Sequence, residues 1–320
     1  MKAAVYTRYG PPDVIQITGV ETPVPTENQV LIKVHAASVN PYDWHFLRGT
    51  PYPLRLAAGL RKPKVPRLGA DVAGRVEAIG KNVTQFKSGD AVFGMAKGAF
   101  AEYVCVDESK LCTKPDSVTF EQAASVPIAG YTALQGLRDK GHIHAGYNVL
   151  VNGGVGTFAV QIAKSFGAHV TGVCSTKNLD LLRSLGADSV IDYTKDDFTK
   201  GAQRYDLILD CIGNHSLSAC RRALTPKGSY LMVGGRATPW MMGFAARLIA
   251  APVLSRFVSQ KLLFVGAKSN PRDLATLGQL IAAGKVTPVI DRRYPLTELR
   301  DALRYSEAGH ARGKIVITLQ

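Results

Sequence analysis

The chain has little cysteine. Its five residues, Cys105, Cys112, Cys174, Cys211 and Cys220, are odd in number and scattered, with no CxxC pair among them. That argues against a disulfide framework and a tetrathiolate zinc site, and it fits a reducing, cytoplasmic setting. No run of about 18 uncharged apolar residues occurs, so no stretch reads as a bilayer-spanning helix. No long apolar run follows Met1 to Arg8, so no signal peptide is expected. Long linkers and low-complexity tracts are also missing. Acids are in deficit: 25 Asp and Glu face 39 Lys and Arg, a net charge of +14. Such a charge suits a cofactor phosphate, nucleic acid or an acidic membrane surface, and equally a solvated surface with no partner.

What is present is a chain of 320 residues, 46% hydrophobic, long enough for about two domains. One stretch, Asn148 to Lys177, orders the rest. Val149 to Val151 read as a buried strand. The turn Gly153, Gly154, Val155, Gly156 follows, and Phe158, Ala159, Ile162, Ala163 and Phe166 then recur at helical spacing. Gly167 is placed to stop that helix, and His169 to Val173 begin a second strand. A glycine turn opening a helix inside a βαβ unit gathers free N–H groups and the positive helix end, which suits a dinucleotide diphosphate. An ordinary strand-to-helix turn has the same pattern.

An NAD site places an acid about 20 residues past the glycines, on the ribose 2′-hydroxyl. Here Cys174, Ser175, Thr176 and Lys177 stand, with no acid before Asp180. Hydroxyls and an ammonium match a 2′-phosphate, so NADPH is expected over NADH. Alternatively, Ser175 and Thr176 cap a helix over 178–185.

Residues 1 to about 120 are rich in short strand-like runs (Ala3–Tyr6, Val14–Ile17, Gln29–His35, Gly74–Ile79, Ala91–Phe93) punctuated by Pro, Gly and Asn. They predict a compact β-barrel-like domain. A helix is predicted from Glu121 to Arg138. Runs at 189–193, 205–210, 228–233 and 262–265 bring the later strands to six, the number of a doubly wound sheet. The tail, Gly313 to Leu319, reads as a strand of the first domain. Thr50 to Arg67, with five cations among four prolines, is expected to be a surface loop. Residues 236–261, rich in Met, Phe, Leu, Ile and Ala, read as a broken amphipathic helix. It would cover a substrate mouth, dock a second subunit or lie on an anionic membrane.

Several strings together resemble a known family: Ala37-Ser-Val-Asn-Pro-Tyr-Asp-Trp44, Gly69-Ala-Asp-Val-Ala-Gly74, Gly89-Asp-Ala-Val-Phe-Gly94, Gly98-Ala-Phe-Ala-Glu-Tyr-Val104, Val126-Pro-Ile-Ala-Gly-Tyr-Thr-Ala-Leu134 and His310-Ala-Arg-Gly-Lys-Ile-Val316. They are similar to the medium-chain dehydrogenase/reductase superfamily, most closely to its zinc-free quinone oxidoreductase and enone reductase branch. The resemblance implies an α/β fold: a GroES-like β-rich catalytic domain over 1–123 and 269–320, and a Rossmann doubly wound parallel six-stranded sheet over 124–268, with a cleft between them. Zinc-dependent members carry a Cys ligand near Val39-Asn40 and a His ligand where Gly69-Ala-Asp71 stands. Neither is here, nor is the four-cysteine lobe between Gly94 and Phe100, so no metal is expected.

Hydride delivery to a quinone, or to a C=C conjugated to a carbonyl, is the chemistry that remains without a metal. By resemblance, Asn40 lies beside the nicotinamide ribose and substrate, Thr132 near the nicotinamide, and Tyr193 near the 2′-phosphate. Gly213, Val233 and Gly234 lie along the cofactor's path. His45, Tyr42 and Tyr52 are candidate proton donors or substrate anchors, and Asp43 ties down its own loop or joins the chemistry. The resemblance also implies a homodimer. One departure stands out: the glycine turn is about three residues shorter than in relatives, which puts cofactor affinity in question. The leading expectation is therefore a zinc-independent NADPH-dependent reductase of quinones or enones. Metal-free reduction of ketones or aldehydes is an alternative. Another is a low-turnover NADPH-binding protein using its basic surface for RNA or an anionic membrane; nucleic acid is not the expected partner.

Overall fold

The computed structural model describes residues 1–153, 156–234, 250–251 and 253–319. In chain order the strands begin with β1 (Lys2–Val5), β2 (Gln16–Gly19) and β3 (Gln29–Val39). Helices α1 (Pro41–Arg48) and α2 (Leu54–Ala58) precede β4 (Asp71–Ile79), β5 (Ala91–Met95), β6 (Tyr103–Asp107) and β7 (Leu111–Thr113). Helices α3 (Phe120–Ala124) and α4 (Pro127–Gln135) lead to β8 (Asn148–Asn152), α5 (Gly156–Ser165), β9 (His169–Cys174), α6 (Leu179–Ser184) and β10 (Ser189–Asp192). Then come β11 (Tyr205–Asp210), α7 (Leu217–Arg222), β12 (Leu224–Met232) and β13 (Lys261–Phe264). The chain closes with α8 (Pro271–Ala282), β14 (Ile290–Pro295), α9 (Leu299–Glu307) and β15 (Lys314–Thr318).

Two compact units result: Met1–Ile128 with Ser269–Gly284 and Pro288–Gln320, and Ala129–Lys268 with Lys285–Thr287. The first is β-rich, as predicted. A sheet of order β14-β15-β3-β4-β5-β7, with β6 paired to β3, wraps a core that includes Ile32, Val72, Val92, Phe100, Leu303 and Ile317. The second holds the expected six-stranded sheet, of order β10-β9-β8-β11-β12-β13. All its pairings are parallel, and its central strands carry buried apolar runs, Val149–Val151 in β8 and Leu207–Leu209 in β11.

Several sequence expectations are corrected. The helix predicted over Glu121–Arg138 is two helices and a π-turn (Gly136–Lys140). Ser125 ends α3, and Pro127, which lacks an N–H, disfavours helical backbone at Val126 before it. The strand read at Val14–Ile17 starts at Gln16, because Pro12–Val14 form a 3₁₀ turn with Pro at its N-terminal position. The loop read over Thr50–Arg67 contains α2, preceded by Pro53 in helical conformation. Of the amphipathic stretch at 236–261, residues 236–249 and 252 lie outside the described residues. Among the described residues no helix is long and apolar enough to cross a membrane.

Candidate functional site

In the second unit, parallel register sets Asn152 level with Asp210 and Val173, Asp192 level with Cys174, and Asp210 level with Met232. Gly153, Ser175, Tyr193, Gly213 and Val233-Gly234 therefore leave the sheet at one edge. β8 lies between β9 and β11, where strand order reverses, the position at which such sheets bind ligands. Gly153 has φ +69°, and a Cβ on it would stand 2.4 Å from Ile212 Cγ1. Only glycine fits there without strain. The Gly156 N–H bonds the Gly153 carbonyl oxygen at 3.0 Å and opens α5. Gly154 and Val155 lie outside the described residues.

A buried carboxylate that the sequence reading missed fixes this edge. Asp210 Oδ1 accepts from Asn152 Nδ2 (2.9 Å) and from the N–H groups of Ile212 (3.0 Å) and Gly213 (2.9 Å). Its Oδ2 accepts the Tyr230 hydroxyl at 2.6 Å. One side chain thus ties the end of β8 to the turn carrying Gly213, itself at φ +67°. Burial and the Asp210 charge hold the Tyr230 phenol far above its usual range, so it remains a donor. The signal in the sequence was the acid ending the apolar run Tyr205–Asp210.

At the neighbouring strand ends, Ser175 precedes a 3₁₀ turn, Thr176–Asn178, and its side chain caps none of the turn's backbone N–H groups. Its hydroxyl lies 3.4 Å from Asn178 Nδ2. Thr176 Oγ1 donates to Asp192 Oδ2, while Thr194 supplies its N–H (3.0 Å) and hydroxyl (2.7 Å) to Oδ1. These hydroxyls hold the Asp192 carboxyl below its usual value, so it is ionised. Reading along the chain found no acid before Asp180; pairing of β9 with β10 brings Asp192 beside Cys174. Burial, reinforced by that charge, raises the Cys174 thiol to about 11. Lys177 is exposed, and the Tyr193 N–H bonds the Cys174 carbonyl oxygen at 3.0 Å with its side chain outward. The structure thus brings Ser175, Thr176, Lys177 and Tyr193 together. Val233, whose N–H bonds the Asp210 carbonyl oxygen at 2.9 Å, and Gly234, close to the Cys211 carbonyl, follow β12. Thr132 is buried on α4.

In the first unit, Asn40 joins the end of β3 to α1 and is the centre of a buried network. Its N–H donates to Asp43 Oδ2 (2.8 Å), whose Oδ1 accepts the Gly69 N–H (3.1 Å). Asp43 therefore ties down its own loop. Asn40 Nδ2 donates to Asp71 Oδ2 (2.9 Å) and to the Ser38 carbonyl oxygen (3.3 Å). Asp71 Oδ2 also accepts the Ser38 hydroxyl (2.8 Å), and Oδ1 accepts the Ile128 N–H (3.1 Å). Lys314, which pairing of β15 with β3 sets beside Asn40, donates to Asn40 Oδ1 and lies 3.8 Å from Asp71 Oδ2. Both amide hydrogens of Asn40 are spent, so the free valence of the side chain is a lone pair on Oδ1. Burial raises Asp43 to about 7 against the bonds from Asn40 and Gly69. Burial likewise raises Asp71, against the Lys314 charge, and lowers Lys314, against the charges of Asp71 and Asp43. Lys314 lies within His310–Val316, one of the family-like strings, and the resemblance implied no role for it.

Of the three candidate donors, Tyr42 and His45 lie on α1 and Tyr52 follows it. His45 Nδ1 lies 2.7 Å from the Thr50 carbonyl oxygen, so that nitrogen carries the proton. Burial lowers the His45 pKa, partly offset by this bond, which leaves the imidazole neutral near pH 7. Tyr42 packs on Phe46, ring centroids 4.2 Å apart, and burial followed by the Asp43 charge raises its phenol. Tyr52 is partly exposed, with the Arg55 guanidinium 5.0 Å above its ring. Among the described residues no group of three or more His, Cys, Asp or Glu is placed to hold a metal ion.

Comparison with known proteins accounts for both units. Residues 26–116 match the alcohol dehydrogenase GroES-like domain, and residues 185–317 the zinc-binding dehydrogenase family. The chain is 37% identical to the 2-methylene-furan-3-one reductase of Solanum lycopersicum over 99% of its own length and 79% of that protein. It is equally close, at 37% identity and the same coverage, to a chloroplastic NADPH-dependent alkenal/one oxidoreductase of Arabidopsis thaliana. The solved quinone oxidoreductase of Coxiella burnetii superposes with a TM-score of 0.88 at 32% identity, covering 100% of this chain and 99% of that one. Fold, strand order and these relatives agree: the chain belongs to the medium-chain dehydrogenase/reductase superfamily and is an oxidoreductase of its quinone oxidoreductase branch.

Proposed function

We propose that this oxidoreductase uses NADPH to reduce a quinone or an α,β-unsaturated carbonyl, without zinc. The observation that carries the reading is the closed network around Asn40 and Asp71. By resemblance these stand at or beside the positions where zinc-dependent members carry ligands, and here they bond each other and the Lys314 ammonium. The tomato furanone reductase and the Arabidopsis alkenal/one oxidoreductase support the unsaturated carbonyl, and the Coxiella quinone oxidoreductase supports the quinone.

NADPH, when bound, supplies hydride to an electron-poor carbon. The chain's own residues divide the remaining work. Gly153 and Gly156 leave backbone room for the diphosphate at the start of α5. Ser175, Thr176, Lys177 and Tyr193 receive the 2′-phosphate, with the ammonium as the matching charge. Asn40 offers only an acceptor, so it takes a hydrogen bond from a hydroxyl of the cofactor ribose or the substrate. Tyr42, protonated at neutral pH, is a donor for an oxygen gaining negative charge. Tyr52 anchors the substrate. Burial leaves little His45 imidazolium at neutral pH to give a proton, and the Nδ1 bond to the Thr50 carbonyl orders the turn.

Asp192 is the feature that favours NADH, because a carboxylate near this turn repels a 2′-phosphate. Fluorescence titration of both nucleotides decides the matter: NADPH is expected to bind more tightly. Equal or tighter NADH binding removes the phosphate role of Ser175, Lys177 and Tyr193. A panel of simple enones and quinones should then show NADPH oxidation that a chelator leaves unchanged. Loss of turnover with chelator overturns the zinc-free reading.

A further inference from the structure

Beyond Tyr52, the segment between α1 and β4 carries an exposed surface that the chemistry above does not use. From Trp44 to Ala70 the sequence contains no Asp or Glu, although six Lys and Arg fall in it. Two are occupied: Arg48 pairs with Glu307, and Arg55 donates to the Gly49 carbonyl oxygen (2.8 Å) and stacks on Tyr9 and Tyr52. Arg61, Lys62 and Lys64 are exposed and face no carboxylate among the described residues.

Apolar side chains stand among these cations. Leu56 is 73% exposed, Leu60 67% and Val65 45%. They are not on a slack loop. The Tyr9 hydroxyl bonds the Gly59 carbonyl oxygen at 2.6 Å, and the Lys64 N–H bonds that of Ala58 at 2.8 Å. Gly59, at φ +121°, lies so close to the Lys62 carbonyl that a Cβ would fall 2.1 Å from it. The segment is therefore pinned from beneath while it holds two leucines and a valine in water. Three exposed aliphatic side chains and these three cations thus fall within ten consecutive residues on a supported backbone.

We propose that this α2 segment docks on an anionic lipid surface, with Leu56, Leu60 and Val65 entering the headgroup–acyl boundary and Arg61, Lys62 and Lys64 meeting lipid phosphates. The charge complementarity selects an anionic partner. The aliphatic side chains select lipid over nucleic acid, whose single strands are held by stacking on aromatic rings. The contact is peripheral, since α2 spans only Leu54–Ala58. It is independent of the reductase reading.

The test is sedimentation of the full chain with vesicles of phosphatidylglycerol and phosphatidylcholine in equal parts, compared with phosphatidylcholine alone. The protein should pellet with the anionic vesicles only and be released by added salt. Reversing three cations (Arg61→Glu, Lys62→Glu, Lys64→Glu) should raise the lipid concentration needed by at least about a hundredfold. Leu56→Ser with Leu60→Ser should weaken binding while the salt dependence persists. Should the charge variant fail to fold, the salt titration of the natural chain still decides. Failure to pellet at low ionic strength overturns the proposal, as does equal pelleting with neutral vesicles or undiminished binding by the folded charge variant. Retention of RNA in preference to vesicles overturns it too.

Discussion

The ammonium of Lys314 donates to the side-chain oxygen of Asn40, while Asp71 accepts from the nitrogen of the same amide. Turning the amide over would set its oxygen against a carboxylate and its NH₂ against an ammonium. The orientation of Asn40 is therefore fixed by charge as well as by packing. Lys314→Met should leave Asp71 and Asp43 buried without their cation and destabilise the protein by about 3 kcal/mol in urea unfolding. Adding Asp71→Asn should recover part of that loss. If the double variant loses the full sum of the two single effects, the residues are not coupled.

Asp43 gives the protein a pH signature. Its carboxyl, ordinarily near 3.8, is raised to about 7 by burial. The folded state thus binds a proton that the unfolded chain releases, and this contribution is complete below about pH 4 and disappears as pH rises through about 7. Stability should fall across that window by an amount on the order of 4 kcal/mol. Asp71, also raised, acts in the same direction. Denaturation measured at intervals from pH 4.5 to 7.5 should show the slope, and Asp43→Asn should flatten it.

The glycine corner makes a sharper demand. Gly153→Ala would impose a side chain at φ +69°, against Ile212. NADPH affinity is expected to fall roughly tenfold or more, in line with the 1–2 kcal/mol such backbone costs. Trimming Ile212→Ala in the same background removes the collision but not the backbone strain, so titration should show only partial recovery.

Replacing Lys177 separates the two nucleotides. Lys177→Ala should weaken NADPH by about ten- to a hundredfold, the range of one hydrogen bond to a charged group, and leave NADH unchanged. Parallel loss of both would mean that Lys177 holds the turn rather than the phosphate.

What the sequence disclosed followed the distances involved. The βα alternation, glycine turn and six-stranded sheet were readable because each signal is complete within a few consecutive residues. The Asn40–Lys314 bond was not: its partners stand 274 positions apart, and only the pairing of β15 with β3 joins them. Asp192 escaped for the same reason, lying 16 residues past Thr176 yet one strand away. β14 was missed because Asp291, Arg292 and Arg293 hide the alternation expected of a strand. The break at Pro127 was visible in principle, but the apolar spacing on either side outweighed it.

The first unit is assembled from segments made both before and after the second. During vectorial synthesis every residue of the nucleotide-binding sheet leaves the ribosome before Lys314 does. That sheet can close early, whereas Asn40 and Asp71 wait for their cation until β15 is threaded beside β3. Until then Asn40 rests on its bonds to Asp43, Asp71 and the Ser38 carbonyl alone, and a chain released before Lys314 would keep those bonds while leaving two buried carboxylates without their cation.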